Sequence, residues 1–293
     1  MKRLFLLCCL ALAALPAVTP AENTPLYLAA MGKSGTAAEN PWQNLDPGKL
    51  KLSSEAAVIM DRAGRIVYAK HAGEARPIAS ITKLMTAMVI LDAGLSMQER
   101  ITITKDDRDL IQLTASRLEY GATLTRGEML QLALMASENR AACALARTFP
   151  GGKPAFVEAM NRKARALGMH DSRFTGPAGL DAGNVASARD VATMVRAAQG
   201  YPFIREATTS QSLSVRPYKG RGELRYANTN RLLKNKAWDI RLSKTGYLNE
   251  AGRCLAMQAE IADRSLVIVL LNSFGKLTPF GDSNRIRKWI EQS

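Results

Sequence analysis

Three short groups of residues in this chain have the types and spacing needed for acyl-transfer chemistry. The first is Ser80-Ile81-Thr82-Lys83. A serine hydroxyl is a weak nucleophile until a base takes its proton. Residues three apart on a helix share a face, so Lys83 can reach Ser80. A lysine is a base only when neutral, and burial or a second nearby cation lowers its pKa. At a helix start, free backbone N–H groups favour the negative charge that develops during attack.

The second group is Ser137-Glu138-Asn139, set between two predicted helices, where side chains can face a cleft. Ser137 can relay a proton between a lysine and a leaving amine, and Asn139 can hold a substrate carbonyl. The third is Lys244-Thr245-Gly246 on a predicted strand. Lys244 and Thr245 offer a cation and a hydroxyl to a substrate carboxylate. Gly246 leaves room for a backbone to approach, so an extended substrate can pair along the strand. Lys244 is also a candidate for the cation that keeps Lys83 neutral.

Taken singly, each group is weak. The Ser-x-x-Lys spacing recurs as Ser273-Phe274-Gly275-Lys276, which reads as chance. Ser137 to Asn139 alone reads as a helix cap, and Lys244 alone as an edge-strand lysine. In order and in context, the three resemble the motif set of penicillin-recognising serine enzymes. The likeness extends along Arg76 to Thr86, Met135 to Ala142, Met160-Asn161, Leu167-Gly168-Met169, Gly179-Leu180 and Asn228-Thr229-Asn230. These segments resemble low-molecular-mass penicillin-binding proteins. Only one strand pair and a short helix follow the Lys-Thr-Gly strand, which is similar to the D-alanyl-D-alanine endopeptidase branch of that family.

The resemblance implies an acyl-enzyme on Ser80, Lys83 as general base and Ser137 as proton shuttle. It implies substrate contacts at Asn139, Lys244, Thr245, Gly246 and Tyr247, with the Ser80 and Tyr247 N–H groups as the oxyanion hole. It further implies peptidoglycan stem peptides and cross-links as substrates, and acylation of the same serine by β-lactams. Carboxypeptidase action on D-Ala-D-Ala ends is the alternative, since both reactions attack a D-Ala carbonyl. A β-lactamase needs a water-holding glutamate. The nearest candidate, Glu158 with Asn161, lies on an amphipathic helix where a solvated acid is expected. A non-catalytic penicillin sensor would carry a damaged catalytic set, and this set is whole. His71 and His170 are far apart and lack a His-Glu-x-x-His context, so neither a metal nor an organic cofactor is expected.

The elements that must position these groups follow from pattern. Ala56 to Met60 and Ile66 to Ala69 read as a hairpin about Asp61 to Gly64. Ser80 to Ala93 reads as a helix stopped by Gly94. Thr125 and Glu128 form a capping box before Met129 to Met135. Glu138 to Arg147, Ala155 to Leu167, and Ser187 to about Ala198 read as further helices. Strands return at Ile240 to Tyr247, Arg253 to Glu260 and Ser265 to Asn272, and a last helix starts near Asp282. The expected fold is α+β and β-lactamase/DD-peptidase-like. An antiparallel sheet from both chain ends is flanked by helices and carries an inserted, mainly helical lobe. The catalytic domain is expected over 51–293, with a sheet lobe at about 51–79 and 236–293 and a helical lobe at about 80–235.

Lys2 and Arg3, the apolar run Leu4 to Leu15 and the small residues through Ala21 read as a cleavable signal peptide, residues 1–21. Residues 22–50 read as a flexible segment. Export to the periplasm follows, with loose membrane association allowed. Once the leader is removed, Cys143 and Cys254 remain, and two buried thiols are the default reading. The net charge of +14 favours anionic partners. Export argues against nucleic acid and for an anionic wall or membrane surface, with a basic balance kept for solubility as the alternative.

Overall fold

The structure, a computed structural model, describes residues 42–292. The signal-peptide reading and residues 22–41 of the flexible segment lie outside the described residues. In chain order the elements are β1 (Ser54–Asp61), β2 (Ile66–Lys70), β3 (Arg76–Pro77), α1 (Lys83–Asp92), β4 (Arg100–Thr102), β5 (Thr123–Thr125), α2 (Arg126–Met135), α3 (Asn139–Arg147) and α4 (Gly152–Ala166). Then follow β6 (Val185–Ala186), α5 (Ala188–Ala198), α6 (Pro202–Thr209), β7 (Ser212–Val215), β8 (Leu224–Ala227), β9 (Asp239–Leu248), β10 (Gly252–Ile261), β11 (Arg264–Ser273) and α7 (Thr278–Ile290).

Five strands form one sheet in the order β2-β1-β11-β10-β9. All four pairings are antiparallel, with Ala57 opposite Leu270 where the chain ends meet. The fold is therefore of the expected class. Both faces of the sheet are covered, and strand alternation sorts the side chains. Val58, Ala256 and Val269 face a core shared with the helical lobe. Ile59, Leu255, Met257 and Ile268 face a second core containing Trp289 and Ile290 of α7. Burial on both faces explains the near-continuous apolar runs of β1 and β11.

The helical lobe is built around α1. Its residues Lys83 to Ile90 are all buried, so the helix has no polar stripe. The expected capping box of α2 is present, with Thr125 accepting from the Glu128 amide at 3.2 Å. Sequence periodicity did not distinguish α6 or the short strand pairs β3–β6, β4–β5 and β7–β8. These are held by tertiary pairing rather than by an amphipathic pattern.

Two readings need correction. Residues 42–50 are not part of a flexible segment. Trp42 and Leu50 are buried in the second core, and Trp42 Nε1 donates to Asp61 Oδ2 at 3.0 Å. An indole and an aliphatic side chain outweigh the lack of periodicity there. The helix placed at Ser80 begins instead as a 3-10 turn over Ala79–Thr82, and α1 starts only at Lys83.

α7 is tied to β1 by one carboxylate. Buried Asp282 accepts from the Ser53 and Ser54 amides at 3.0 and 2.7 Å, and from Ser54 Oγ at 2.5 Å. Asp282→Ala leaves those donors unpaired. Urea unfolding should show a loss of about 3 kcal/mol. An unchanged midpoint would mean that this clamp carries no stability.

Candidate active site

Ser80 sits in the 3-10 turn, entered through Ala79 at φ +47°. In a 3-10 helix, residues three apart eclipse one another. Ser80 and Lys83 are thus brought closer than an α-helix start would bring them, and Lys83 Nζ donates to Ser80 Oγ at 2.8 Å. Lys83 Nζ also donates to Asn139 Oδ1 at 2.8 Å and to the Ala178 carbonyl at 2.6 Å.

The Ala178 carbonyl belongs to a loop packed under Ser80. Thr86 Oγ1 donates to Pro177 O, and the Ile78 amide donates to Asn184 O. A Cβ on Gly179 would lie 1.9 Å from the Ala79 carbonyl, and its φ is +70°. Only glycine fits this contact.

Ser137 follows α2 in the left-handed region, at φ +61°. Helices often end in this conformation, usually at glycine. A serine there costs about 1 kcal/mol of strain and turns its hydroxyl into the cleft. Lys244 Nζ donates to Ser137 Oγ at 3.0 Å and to Thr245 O at 2.9 Å. Glu138 has a structural place. It caps α3 by accepting from the Arg140 amide at 3.3 Å, and it accepts from Ser116 Oγ at 2.6 Å.

Asn139 is engaged at both ends of its amide. Oδ1 accepts from Lys83, while Nδ2 donates to Thr114 Oγ1 at 3.0 Å. Asp109 in turn accepts from the Ile111, Gln112 and Thr114 amides and from Thr114 Oγ1, which fixes that loop. The Asp109 carboxyl is held below its usual range: burial raises it, but these four donors more than compensate.

Both lysines are buried, Lys83 at 0% exposure and Lys244 at 1%. Burial pulls the Lys83 ammonium down to about 7, against partial compensation from Cys143, Glu138 and Asp109. Lys244 is driven well below its usual range by burial and by the charge of Lys83. Of the two causes anticipated for a neutral Lys83, burial therefore leads. Repulsion between the two cations acts on Lys244.

A cavity of about 280 Å³ opens above these groups. Ser80, Ser137, Asn139, Thr245, Gly246 and Tyr247 line it, with the two lysines buried beneath. All eight residues singled out in the sequence are thus brought together. Among the described residues β9 is an edge strand with no sheet partner on its outer side, the arrangement that strand addition uses. Gly246 serves a close approach, but the backbone that approaches belongs to the chain itself. A Cβ there would lie 3.0 Å from both Ile78 O and Ser80 N.

Sequence reading assigned no role to Ala178, Thr114 or Thr229. Thr229 Oγ1 accepts from Thr245 Oγ1 at 2.6 Å. Gly179-Leu180 and Asn228-Thr229-Asn230 were visible as segments, but nothing in them pointed to these contacts. The second Ser-x-x-Lys splits up: Ser273 Oγ lies 2.7 Å from Ser54 Oγ inside the fold, while Lys276 lines the cavity. Glu158 is exposed and pairs with Arg162. His71 pairs with Glu74 on the surface, and His170 is exposed. Cys143 and Cys254 are both free, Cys143 half-buried and Cys254 buried.

Fold and site together define a serine DD-peptidase. A serine hydrogen-bonded to a buried lysine and a second lysine-hydroxyl pair share one cleft between a sheet and a helical lobe. Peptidase_S11, described as D-alanyl-D-alanine carboxypeptidase, matches residues 42–275, and the chain belongs to this family. It is 41% identical over 267 residues to a D-alanyl-D-alanine endopeptidase of Pseudomonas aeruginosa, covering 91% of this chain and 86% of that one. It is also 41% identical to a D-alanyl-D-alanine endopeptidase of Escherichia coli K12, covering 82% and 78%. The crystal structure of the Streptomyces K15 DD-transpeptidase shares the fold, with TM-score 0.78 and 24% identity over 84% of this chain and 99% of that one.

Gly246→Ala forces β9 away from the Ser80 turn. Acylation by a labelled penicillin should slow by on the order of a hundredfold. Labelling at the native rate would show that this approach does not position Ser80.

Proposed function

We propose that the chain is a periplasmic D-alanyl-D-alanine endopeptidase that cuts D-Ala–diaminopimelate cross-links of peptidoglycan. The observation that carries the reading is Lys83, buried, 2.8 Å from Ser80 Oγ and pulled down to about 7. A lysine in that state takes a proton near neutral pH. The likeness to two endopeptidases favours cross-links over free ends, while the family's own description favours the D-Ala-D-Ala terminus as the second reading. In this account the catalytic domain expected over 51–293 extends back to take in residues 42–50, which pack in its second core, and residues 1–21 are a signal peptide removed on export.

In the proposed mechanism, Lys83 takes the Ser80 proton as Oγ attacks the D-Ala carbonyl. The Ser80 and Tyr247 amides meet the oxyanion, Gly246 letting β9 come close to the Ser80 amide just before Tyr247. Lys244 and Thr245 receive the carboxylate that neighbours the leaving amine. That anion favours the charged form of Lys244, and a charged Lys244 disfavours a charged Lys83. Substrate docking thereby readies the base. Ser137, held by Lys244, passes the proton to the leaving amine. Asn139 orients Lys83 and releases its Nδ2 from Thr114 to a substrate carbonyl. Water then frees the acyl peptide. β-Lactams acylate the same serine.

Mass spectrometry of cross-linked muropeptide dimers and of pentapeptides tests the reading. Dimers should become monomers. Removal of only a terminal D-Ala would make the chain a carboxypeptidase. Ser80→Ala should lose covalent penicillin labelling with an unchanged urea midpoint, and retained labelling would place the nucleophile elsewhere. Because the base must be neutral, acylation should be slow below pH 7 and rise to a plateau above it through one ionisation near 7. A flat profile from pH 5 to 9 would remove Lys83 from that role.

A further inference from the structure

The catalytic groups occupy only part of the cavity wall. Arg231, Arg253 and Lys276 also line it, and among the described residues no acidic side chain does. Among those residues, too, none of the three cations forms an ion pair with a carboxylate. The first turn of α7, at Pro279 and Phe280, completes the same wall, so the positive end of a 13-residue helix adds to the field.

Arg253 is held in place. It lies opposite Tyr247 in the β9–β10 pairing, next to a register shift in the β10–β11 pairing. Its guanidinium stacks on the Tyr247 ring, 3.9 Å from the centroid, and Tyr247 Oη is itself tied to Asn249 Oδ1 at 2.8 Å. A stacked guanidinium keeps its N–H edge free for a planar anion. Arg231 lies two residues beyond Thr229, which is hydrogen-bonded to Thr245. The basic wall therefore begins beside the place where the substrate's first carboxylate docks.

We propose that Arg231, Arg253 and Lys276 bind a second carboxylate, carried by the peptide whose amine is the leaving group. The proposal deepens the endopeptidase reading and rests on it. A D-Ala-D-Ala end stops at its own carboxylate, at Lys244 and Thr245. A cross-linked peptide continues past that point and carries further carboxylates. The wall thus selects cross-links over free ends, and it does so without touching the reacting atoms.

Binding and turnover separate the two ideas. Calorimetry on Ser80→Ala protein reads binding without cleavage, using muropeptide dimers, dimers with those carboxylates amidated, and pentapeptides. Adding Arg231→Gln, Arg253→Gln and Lys276→Gln should weaken dimer binding by roughly tenfold to a hundredfold. Binding of amidated dimers and of pentapeptides should stay within about twofold of its starting value, and Arg253→Lys should restore part of the dimer affinity. Equal weakening for all three ligands, or no weakening for any, would overturn the wall as a carboxylate site. Cleavage of dimers by the protein with Ser80 intact is scored separately. Its absence would refute the endopeptidase reading, while the binding result still decides the wall.

Discussion

Two lysine ammonium groups are buried in one cleft, and water cannot hold both charged there. Desolvating a cation is costly, and a second cation nearby raises the cost. The site answers with hydrogen-bond acceptors rather than carboxylates. Lys83 faces Ser80 Oγ, Asn139 Oδ1 and the Ala178 carbonyl, and Lys244 faces Ser137 Oγ and the Thr245 carbonyl. Neutral acceptors support an amine without fixing its proton. The pair remains poised to exchange protons with whatever enters.

Much of the architecture keeps that cleft dry and exact in its spacing. α1 is buried from Lys83 to Ile90 in the core shared by the helical lobe and the sheet, so Lys83 stands on a helix that cannot tilt without disturbing that core. Among the described residues β9 is an edge of the sheet, and glycine at 246 allows it to meet the Ser80 turn. Gly179 allows the loop bearing Ala178 to close from beneath. Ala79 and Ser137, two of the non-glycine residues at positive φ, border Ser80 and the cleft, so part of the fold's backbone strain is held there.

Sequence made the sheet and most of the helices legible because their apolar periods are strong. β1, β10 and β11 read as strands because both faces are buried, and α2 was marked by its capping box. The eight site residues were legible as types, since serine and lysine three apart mean little except beside the other two groups. Contacts made by backbone or by loops were not. Ala178 contributes only a carbonyl, and Thr114 matters only because Asp109 folds its loop. The 3-10 turn at Ser80 and the packing of Trp42 likewise depend on tertiary contacts that no local pattern records.

The most direct test is the protonation state of Lys83 itself. Lysine-selective NMR titration, with Lys83→Arg to assign the resonance, would read its pKa in the free protein. The account predicts a midpoint near 7. A midpoint at the ordinary lysine value of about 10.4 would mean that Lys83 stays charged at neutral pH and cannot be the base that activates Ser80.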